Sequence, residues 1–568
     1  GMPPTVTVDP AEGTDDLAVP LDHLLVEAAL GPLRRFAPDL STARLLGSLA
    51  SRPVSTGRRV GALAADLAAI VAGKSTVAPD RRDRRFADEA WAKNPLLRRL
   101  VQSYLASGAT AAQLVSDAGL GWRDAQRVEF LLDNLTEALS PSNLPLVNPA
   151  SAKAAIDTGG ANFARGMSAF AKDMSAKPRV PQMVDSSGFE LGRNIAVSPG
   201  AVIARTEVFE LIRYQPSTPK VHEVPLLIVP PTINKFYAMD LAPGRSLVEF
   251  LVGQGQQVFI ISWRNPLAHH ADWDSDTYAA EIIKAMDITA KAAGVEKVAL
   301  TGICSGGILS SLAVAHLAAT DRLDRLAAFS LFVTVLDQEH AGMPAALAGP
   351  RTTDLAKRAS RQRGFIDGRD LAEAFAWLRP GDLVWNYWVN NYLLGRRPPA
   401  FDILFWNADT VRMPAGLHAD FIDIAMENRL VHAGTQTTLG TPVDLGEITT
   451  DAYVVAGIAD HITPWQNCYQ STQLLGGDTR FILSTSGHIA ALVNPPNNPK
   501  ASYRDGSTSY TDANEWLENA EQHAGAWWPD YAAWLAARSG ALVKAPTRLD
   551  GGGTSVLAQA PGTYVLEP

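Results

Sequence analysis

Gly302-Ile-Cys304-Ser-Gly-Gly307 sets a cysteine among small residues, directly after the apolar run 297–303 and ahead of a helix expected over 308–319. Strand, tight turn and helix in that order make a nucleophile elbow, where bulky neighbours would block the strained turn that lifts the side chain above the sheet. The start of the helix also favours the thiolate over the thiol. A cysteine in a glycine-rich turn is, taken alone, as well read as an inert buried thiol, so its partners decide. Triads of this kind place an acid and then a histidine later in the chain, each following a strand. Asp460, after the run 452–457, and His488, in Ser486-Gly-His488 after the run 480–484, satisfy that order. Asp460 by itself could instead cap a helix near Thr463. His461 either packs structurally beside the acid or lines a substrate channel. The oxyanion that such a nucleophile generates needs the amide after it, Ser305, and an amide from the loop 230–234.

The choice of sulfur says something about the substrate. A thiolate that attacks a thioester forms another thioester of nearly equal energy, so the acyl group stays activated for an oxygen nucleophile. Acyl transfer from a CoA-type thioester to a hydroxyl is therefore favoured over ester hydrolysis. The other chemistry-bearing residues are read as structural. His269 and His270, near Asp272, are expected on the surface, because adjacent histidines on a loop seldom converge on one metal. Cys468, in an expected helix, is expected in the core.

These residues need a scaffold, and the rest of the sequence describes one. Runs at 224–229, 257–263, 297–303, 326–336, 452–457 and 480–484 alternate with helical stretches such as 277–293, the pattern of an α/β fold with a mostly parallel sheet covered on both faces. Between 337 and 450 lies a stretch rich in aromatics, among them Trp377, Trp385, Tyr387, Trp388 and Trp406, which is too long for a loop and is expected to be an inserted cap over about 338–448. Residues 1–20 are expected to be flexible, 21–194 to form a helical domain and linker, and 195–568 to form the catalytic unit. Helix spacing is clear at Leu96, Leu97, Leu100, Val101, Tyr104 and Leu105. The stretch 140–194, richer in Pro, Ser, Asn and Gly, is read as a junction without sustained periodicity. The run Arg81-Arg82-Asp83-Arg84-Arg85 reads as a solvated face, and 542–568 as a segment that drapes over the surface or frays.

Composition narrows the function classes. Hydrophobic residues make up 46% and charged residues 19% of the 568 positions, which suits a large buried core and excludes disorder throughout. At about 150 residues per domain a single minimal domain is excluded as well. A formal charge of -9 argues against nonspecific binding of nucleic acid. Two cysteines are too few for a disulfide scaffold or a thiolate zinc site, so a reducing cytoplasm is expected. Gly1-Met-Pro-Pro4 lacks the basic start and apolar run of a signal peptide, so no export is expected. The stretch 299–320 is free of charged residues and long enough to span a bilayer, but its glycines and its position make it half buried strand and half buried helix. No transmembrane segment is expected.

Several blocks then stand together: Pro230-Pro-Thr-Ile-Asn-Lys-Phe-Tyr237, Ile261-Ser-Trp-Arg-Asn-Pro266, the Cys304 elbow, Leu378-Arg-Pro-Gly-Asp-Leu-Val-Trp-Asn-Tyr-Trp-Val-Asn-Asn-Tyr392, Phe405-Trp-Asn407, Asp460-His-Ile-Thr-Pro-Trp465 and Ser486-Gly-His488. From about residue 86 onward the sequence resembles the polyhydroxyalkanoate synthases, most nearly the bacterial single-polypeptide type. The resemblance implies an α/β-hydrolase catalytic domain with a mobile cap behind a helical N-terminal domain. It also implies a homodimer in the cytoplasm at the polyester granule surface, in reach of granule-associated proteins. The implied reaction transfers (R)-3-hydroxyacyl groups from CoA to a growing polyester; CoA belongs to substrate and product, and no separate cofactor or metal is implied. Cys304 would carry the chain as a thioester, His488 would deprotonate the thiol and then the incoming hydroxyl, and Asp460 would orient His488. The backbone amides of Ile233 and Ser305 would hold the oxyanion. The stretches 385–394 and 494–500 look most like the group acting on medium-chain monomers, but Thr232 and Ser305 fall where groups vary, so short monomers stay open. Two alternatives remain: a cysteine-type thioesterase or esterase that passes the acyl group to water, and an idle granule-coating protein. The first needs neither the long N-terminal region nor the cap, and the second needs no ordered triad.

Overall fold

The computed structural model describes residues 40–339, 350–378, 380–460, 463–487 and 491–568. The expected flexible start 1–20 lies outside them, as do both candidate histidines, His461 and His488.

Among the described residues eleven strands form one mixed sheet: β1 (Gly200–Arg205), β2 (Phe209–Tyr214), β3 (Leu226–Val229), β4 (Val258–Trp263), β5 (Val298–Ile303), β6 (Leu326–Phe332), β7 (Ala452–Gly457), β8 (Thr479–Ser484), β9 (Ser502–Asp505), β10 (Glu521–Ala524) and β11 (Ala558–Gln559). Their spatial order is β10-β9-β8-β7-β6-β5-β3-β4-β2-β1-β11. Strands β3 to β8 are parallel to their neighbours within that set, and antiparallel strands close both edges. This is an α/β-hydrolase sheet. The parallel strands are apolar on both faces because successive side chains enter different cores. Leu227, Leu300, Phe329 and Val454 pack on one side with Tyr278, Leu309, Leu312 and Trp465. Ile228, Ala299, Phe332 and Val455 pack on the other with Leu247, Trp527, Trp528 and Tyr531.

The charge-free stretch 299–320 is β5 followed by a helix, Ser305–Ala319, of which only His316, Ala318 and Ala319 escape full burial. No described helix is long and apolar enough to cross a membrane.

The N-terminal region is helical: α1 (Leu40–Ala50), α2 (Pro53–Val71), α3 (Pro95–Asp117), α4 (Trp122–Ala138), α5 (Pro149–Thr158) and α6 (Ala161–Met174). The last two fall in the stretch read as an aperiodic junction. Asn148 caps α5 by accepting from Ala150 N and Ser151 N, and Gly159 and Gly160, both at positive φ, allow the turn into α6. Helix α6 lies against the insertion that separates β6 from β7. Tyr392 Oη donates to Asp173 Oδ2 at 2.7 Å, Asn162 Nδ2 donates to Leu393 O at 2.8 Å, and Phe170 meets Trp388 and Tyr392 edge-on.

Of the two readings of 542–568 the first holds: the segment lies along the surface, where Leu542–Lys544 pairs with Lys220–His222 and β11 extends the sheet, and only near its end are Tyr564 and Val565 buried. Two expectations need correction. His270 is not a surface residue. It is 4% exposed, accepts from Leu267 N through Nδ1 at 2.9 Å and stacks on Trp273. The basic run also divides, with Arg81, Arg82 and Arg84 exposed. Arg85 turns inward to Asp83, Tyr104 Oη and Glu137.

Candidate active site

Cys304 occupies the turn between β5 and α7 (Ser305–Ala319), with φ 51 and ψ -118. A non-glycine residue there costs about 1–3 kcal/mol, so the surroundings must impose it. They do so at both ends of the turn. Cys304 N donates to Phe332 O at 3.0 Å, and Cys304 O accepts from Gly307 N at 2.9 Å and Ile308 N at 3.2 Å. A Cβ at Gly302 would stand 2.6 Å from Gly307 Cα, and one at Gly306 would stand 2.5 Å from Val229 O. The two glycines therefore let the helix start close to β5 and to the end of β3. Cys304 is 8% exposed.

The close approach at Gly306 sets α7 against the loop after β3. Thr232 N donates to Ser305 Oγ at 2.9 Å, and the two hydroxyls lie 3.2 Å apart. Ser305 N, at the first helical position, has no intrahelical acceptor to reach. With Thr232 N committed to Ser305, Ile233 N is the next amide along the same loop.

The other two strand ends follow by a continuous set of backbone bonds. Val333 N donates to Val455 O at 2.9 Å, Ile458 N to Ser484 O at 2.9 Å, and Ala459 N to Ser486 O at 3.1 Å. The turns after β5, β7 and β8 are thus held along one edge of the sheet, the carboxyl edge where ligands of parallel α/β sheets sit. Asp460 is 5% exposed on the turn after β7. Its Oδ1 accepts from Thr463 N at 3.1 Å and its Oδ2 from Thr463 Oγ1 at 2.5 Å. The helix beyond it, Trp465–Leu474, has Pro464 as its N-cap. The Asp460 side chain thus bonds the Thr463 amide as the cap reading expected, but it does so in a turn ahead of the helix, which fixes the carboxylate. The chain leading to His488 arrives beside this turn: a Cβ at Gly457 would meet Ser486 O at 2.5 Å and Gly487 O at 2.6 Å.

Cys468 is fully buried, as expected. Burial drives its thiol pKa well above the usual range, and Asp460 and Cys304 raise it further. The acid and the elbow cysteine thus share one neighbourhood around it. The Thr463 amide is the partner the sequence offered for Asp460; the bond from its hydroxyl is the added feature, and a threonine three residues after an aspartate is a readable turn signal.

The described group with metal-like spacing, Asp505, Glu521 and His523, lies on β9 and β10 at the far sheet edge. There His523 Nε2 and Asp505 Oδ1 are 2.6 Å apart, and Arg480 bonds the same aspartate.

Known proteins resemble this chain over most of its length. A family model described as the N-terminus of poly-beta-hydroxybutyrate polymerase (PhaC) matches residues 82–251, and one for the alpha/beta hydrolase fold matches residues 225–495. Poly(3-hydroxyalkanoate) polymerase 1 of Ectopseudomonas oleovorans is 43% identical over 529 residues, covering 93% of this chain and 94% of that one. Poly(3-hydroxyalkanoate) polymerase 2 of the same organism is 42% identical over 560 residues, 98% and 99% of the two chains. The poly(3-hydroxyalkanoate) polymerase subunit PhaC of Cupriavidus necator is 37% identical over 504 residues, 88% and 85%. The chain belongs to the poly(3-hydroxyalkanoate) polymerases, a family of acyltransferases built on the α/β-hydrolase fold.

Proposed function

We propose that the protein polymerises (R)-3-hydroxyacyl-CoA into polyester, with Cys304 as the covalent carrier. The observation that carries the proposal is the Cys304 turn, strained at φ 51 and set against the Thr232–Ile233 loop, within a chain 43% identical to a poly(3-hydroxyalkanoate) polymerase over nearly its whole length. In the first half-reaction His488 takes the Cys304 proton and the thiolate attacks the thioester carbonyl. The Ser305 and Ile233 amides stabilise the oxyanion. Its collapse breaks the bond to CoA sulfur, which leaves with the proton from His488. In the second half-reaction His488 takes the proton of a 3-hydroxyl group, whose oxygen attacks the Cys304 thioester. The new ester bond forms as the Cys304 thiolate departs and recovers the proton. Asp460, held by Thr463, orients His488 and favours its charged form. His461, the next residue after the acid, is assigned either to packing beside it or to the substrate channel. CoA enters and leaves as part of substrate and product, so the cycle calls for no further cofactor.

The same proposal places the enzyme as a homodimer in the cytoplasm on the granule surface, with granule-associated proteins as neighbours, and divides it into a helical N-terminal domain (21–194) and a catalytic domain (195–568) capped by 338–448. Purified protein given 3-hydroxyacyl-CoA should release CoA while high-molecular-weight polyester accumulates. Cys304→Ala should abolish that release. Stoichiometric free hydroxy acid without polymer, or normal turnover by Cys304→Ala, would overturn the proposal.

A further inference from the structure

The loop carrying Ile233 has a buried lysine at its end. Lys235 is 4% exposed, and an ammonium so deep in the protein must be compensated. Its Nζ donates to Glu567 O at 2.8 Å. Burial lowers its pKa, while nearby Asp409 and Glu567 act in the opposite direction. Asp409 in turn accepts from Tyr237 Oη at 2.7 Å.

The loop backbone is tied to the insertion as well. Val411 N donates to Ile233 O at 2.9 Å, and Trp406 Nε1 donates to Lys235 O at 2.8 Å. The segment 563–568 that receives Lys235 is anchored independently of the loop. Thr563 N and Tyr564 N donate to Glu210 Oε1 at 2.9 and 2.7 Å. Asn265 Nδ2 and Arg412 Nη2 donate to Pro568 O at 2.9 and 3.0 Å. A strap more than three hundred residues away in sequence is thus fastened to the end of β4, to β2 and to the insertion, and Lys235 links it to the oxyanion loop.

We infer that Lys235 is a positioning residue: its ammonium, bonded to the Glu567 carbonyl, lets the strap 563–568 fix the oxyanion loop and with it the direction of Ile233 N. The inference rests on the proposed role of Ile233 N in holding the oxyanion. A neutral side chain of similar length would fill the space but leave the Glu567 carbonyl without its donor. The loop would then keep its contacts with the insertion and lose its tie to the strap. Because an oxyanion donor acts only on the transition state, the loss should fall on kcat and spare KM.

The test compares full-length wild type with Lys235→Met, Lys235→Arg and a form lacking Glu567 and Pro568. CoA release from 3-hydroxybutyryl-CoA and amide hydrogen exchange of residues 230–237 are both followed. Lys235→Met and the shortened form should lower kcat about 10- to 100-fold, with KM unchanged within about twofold. Both should speed exchange of 230–237 selectively, and Lys235→Arg, which keeps a charged donor, should recover much of both. Wild-type kcat and exchange in Lys235→Met would overturn the inference. So would a loss of kcat accompanied by general rather than loop-selective exchange. If wild type releases CoA neither from 3-hydroxybutyryl-CoA nor from a medium-chain 3-hydroxyacyl-CoA, the polymerase proposal falls, and loop exchange alone then decides the role of Lys235.

Discussion

Thr232 and Ser305 are joined twice, through Thr232 N donating to Ser305 Oγ and through their two hydroxyls. The residue after the proposed nucleophile therefore does more than present its own amide. Its side chain holds the loop that carries Ile233 N, so under the proposed function both halves of the oxyanion site move together. Ser305 is fully buried, and its hydroxyl cannot be replaced by water without opening the turn.

Ser305→Ala should leave Thr232 N buried without an acceptor, at a cost of about 1–3 kcal/mol. Urea unfolding should read that loss. The kcat for CoA release should also fall, by about 10-fold, since the loop is no longer tied to α7. Ser305→Thr, which keeps the acceptor oxygen, should retain more activity than Ser305→Ala.

Asp460→Asn should reduce kcat by about 10^3-fold or more, as expected when an acid that orients a triad histidine loses its charge. Thr463→Val tests the support behind it. Removing the Thr463 hydroxyl takes away the 2.5 Å bond to Asp460 Oδ2 and leaves only the backbone bond from residue 463 to Oδ1 on that side, so the carboxylate is held less firmly and a loss of about 10-fold in kcat is expected. Steady-state kinetics on the two variants would show whether the turn after β7 positions the acid: equal kcat for Thr463→Val and wild type would mean that it does not.

Acid stability should depend on His270. Burial lowers its pKa from the usual 6.5, and its Nδ1 must stay unprotonated to accept from Leu267 N. The unfolded chain therefore binds a proton at higher pH than the folded chain does. Between the lowered folded value and about 6.5 the unfolded state holds more protons, so stability rises with pH through that window and is lost as the solution is acidified. His222 and His316 are lowered for the same first cause and add to the effect. His270→Gln, which can still accept from Leu267 N, should flatten the decline in urea midpoint between pH 7.5 and 5.5. An unchanged pH slope would assign the decline to other groups.

What the sequence made legible follows from locality. Ala452–Gly457 is readable as a strand because a continuous apolar run suits a strand covered on both faces, and Cys304 and Asp460 are readable because each follows such a run. The hairpin Gly200–Tyr214 is not, because Glu210 and Arg213 interrupt the run. Glu210 pairs with Arg205 across the hairpin, but the rest of its partners, Thr563 N and Tyr564 N, and those of Arg213, Ala292 O and Leu549 O, are distant in sequence. The same reason hides Lys235, whose acceptor lies at Glu567. Local pattern reports the strands and the residues at their ends. It cannot report a buried charge whose partner is hundreds of positions away.

The contact between α6 and the insertion gives a last prediction. Gly166 lies so close to Tyr392 that an added Cβ would overlap the Tyr392 carbonyl oxygen and stand 2.8 Å from its Cα. Backbone atoms cannot yield as a flexible side chain can, so Gly166→Val should force α6 away from residues 388–393. It should break the bonds from Asn162 to Leu393 O and from Tyr392 to Asp173 together. Neither bond touches the Cys304 turn, and the sheet core does not include Gly166, so the strands should stay folded while the insertion loses its support. Faster hydrogen exchange and earlier proteolytic cleavage within 380–400, with unchanged exchange in β5 and β7, are the expected readouts. Tyr392→Phe removes one bond without the clash and should give a smaller change in the same direction. Uniformly faster exchange across β5 and β7 in Gly166→Val would instead mean that the N-terminal helices support the whole catalytic sheet.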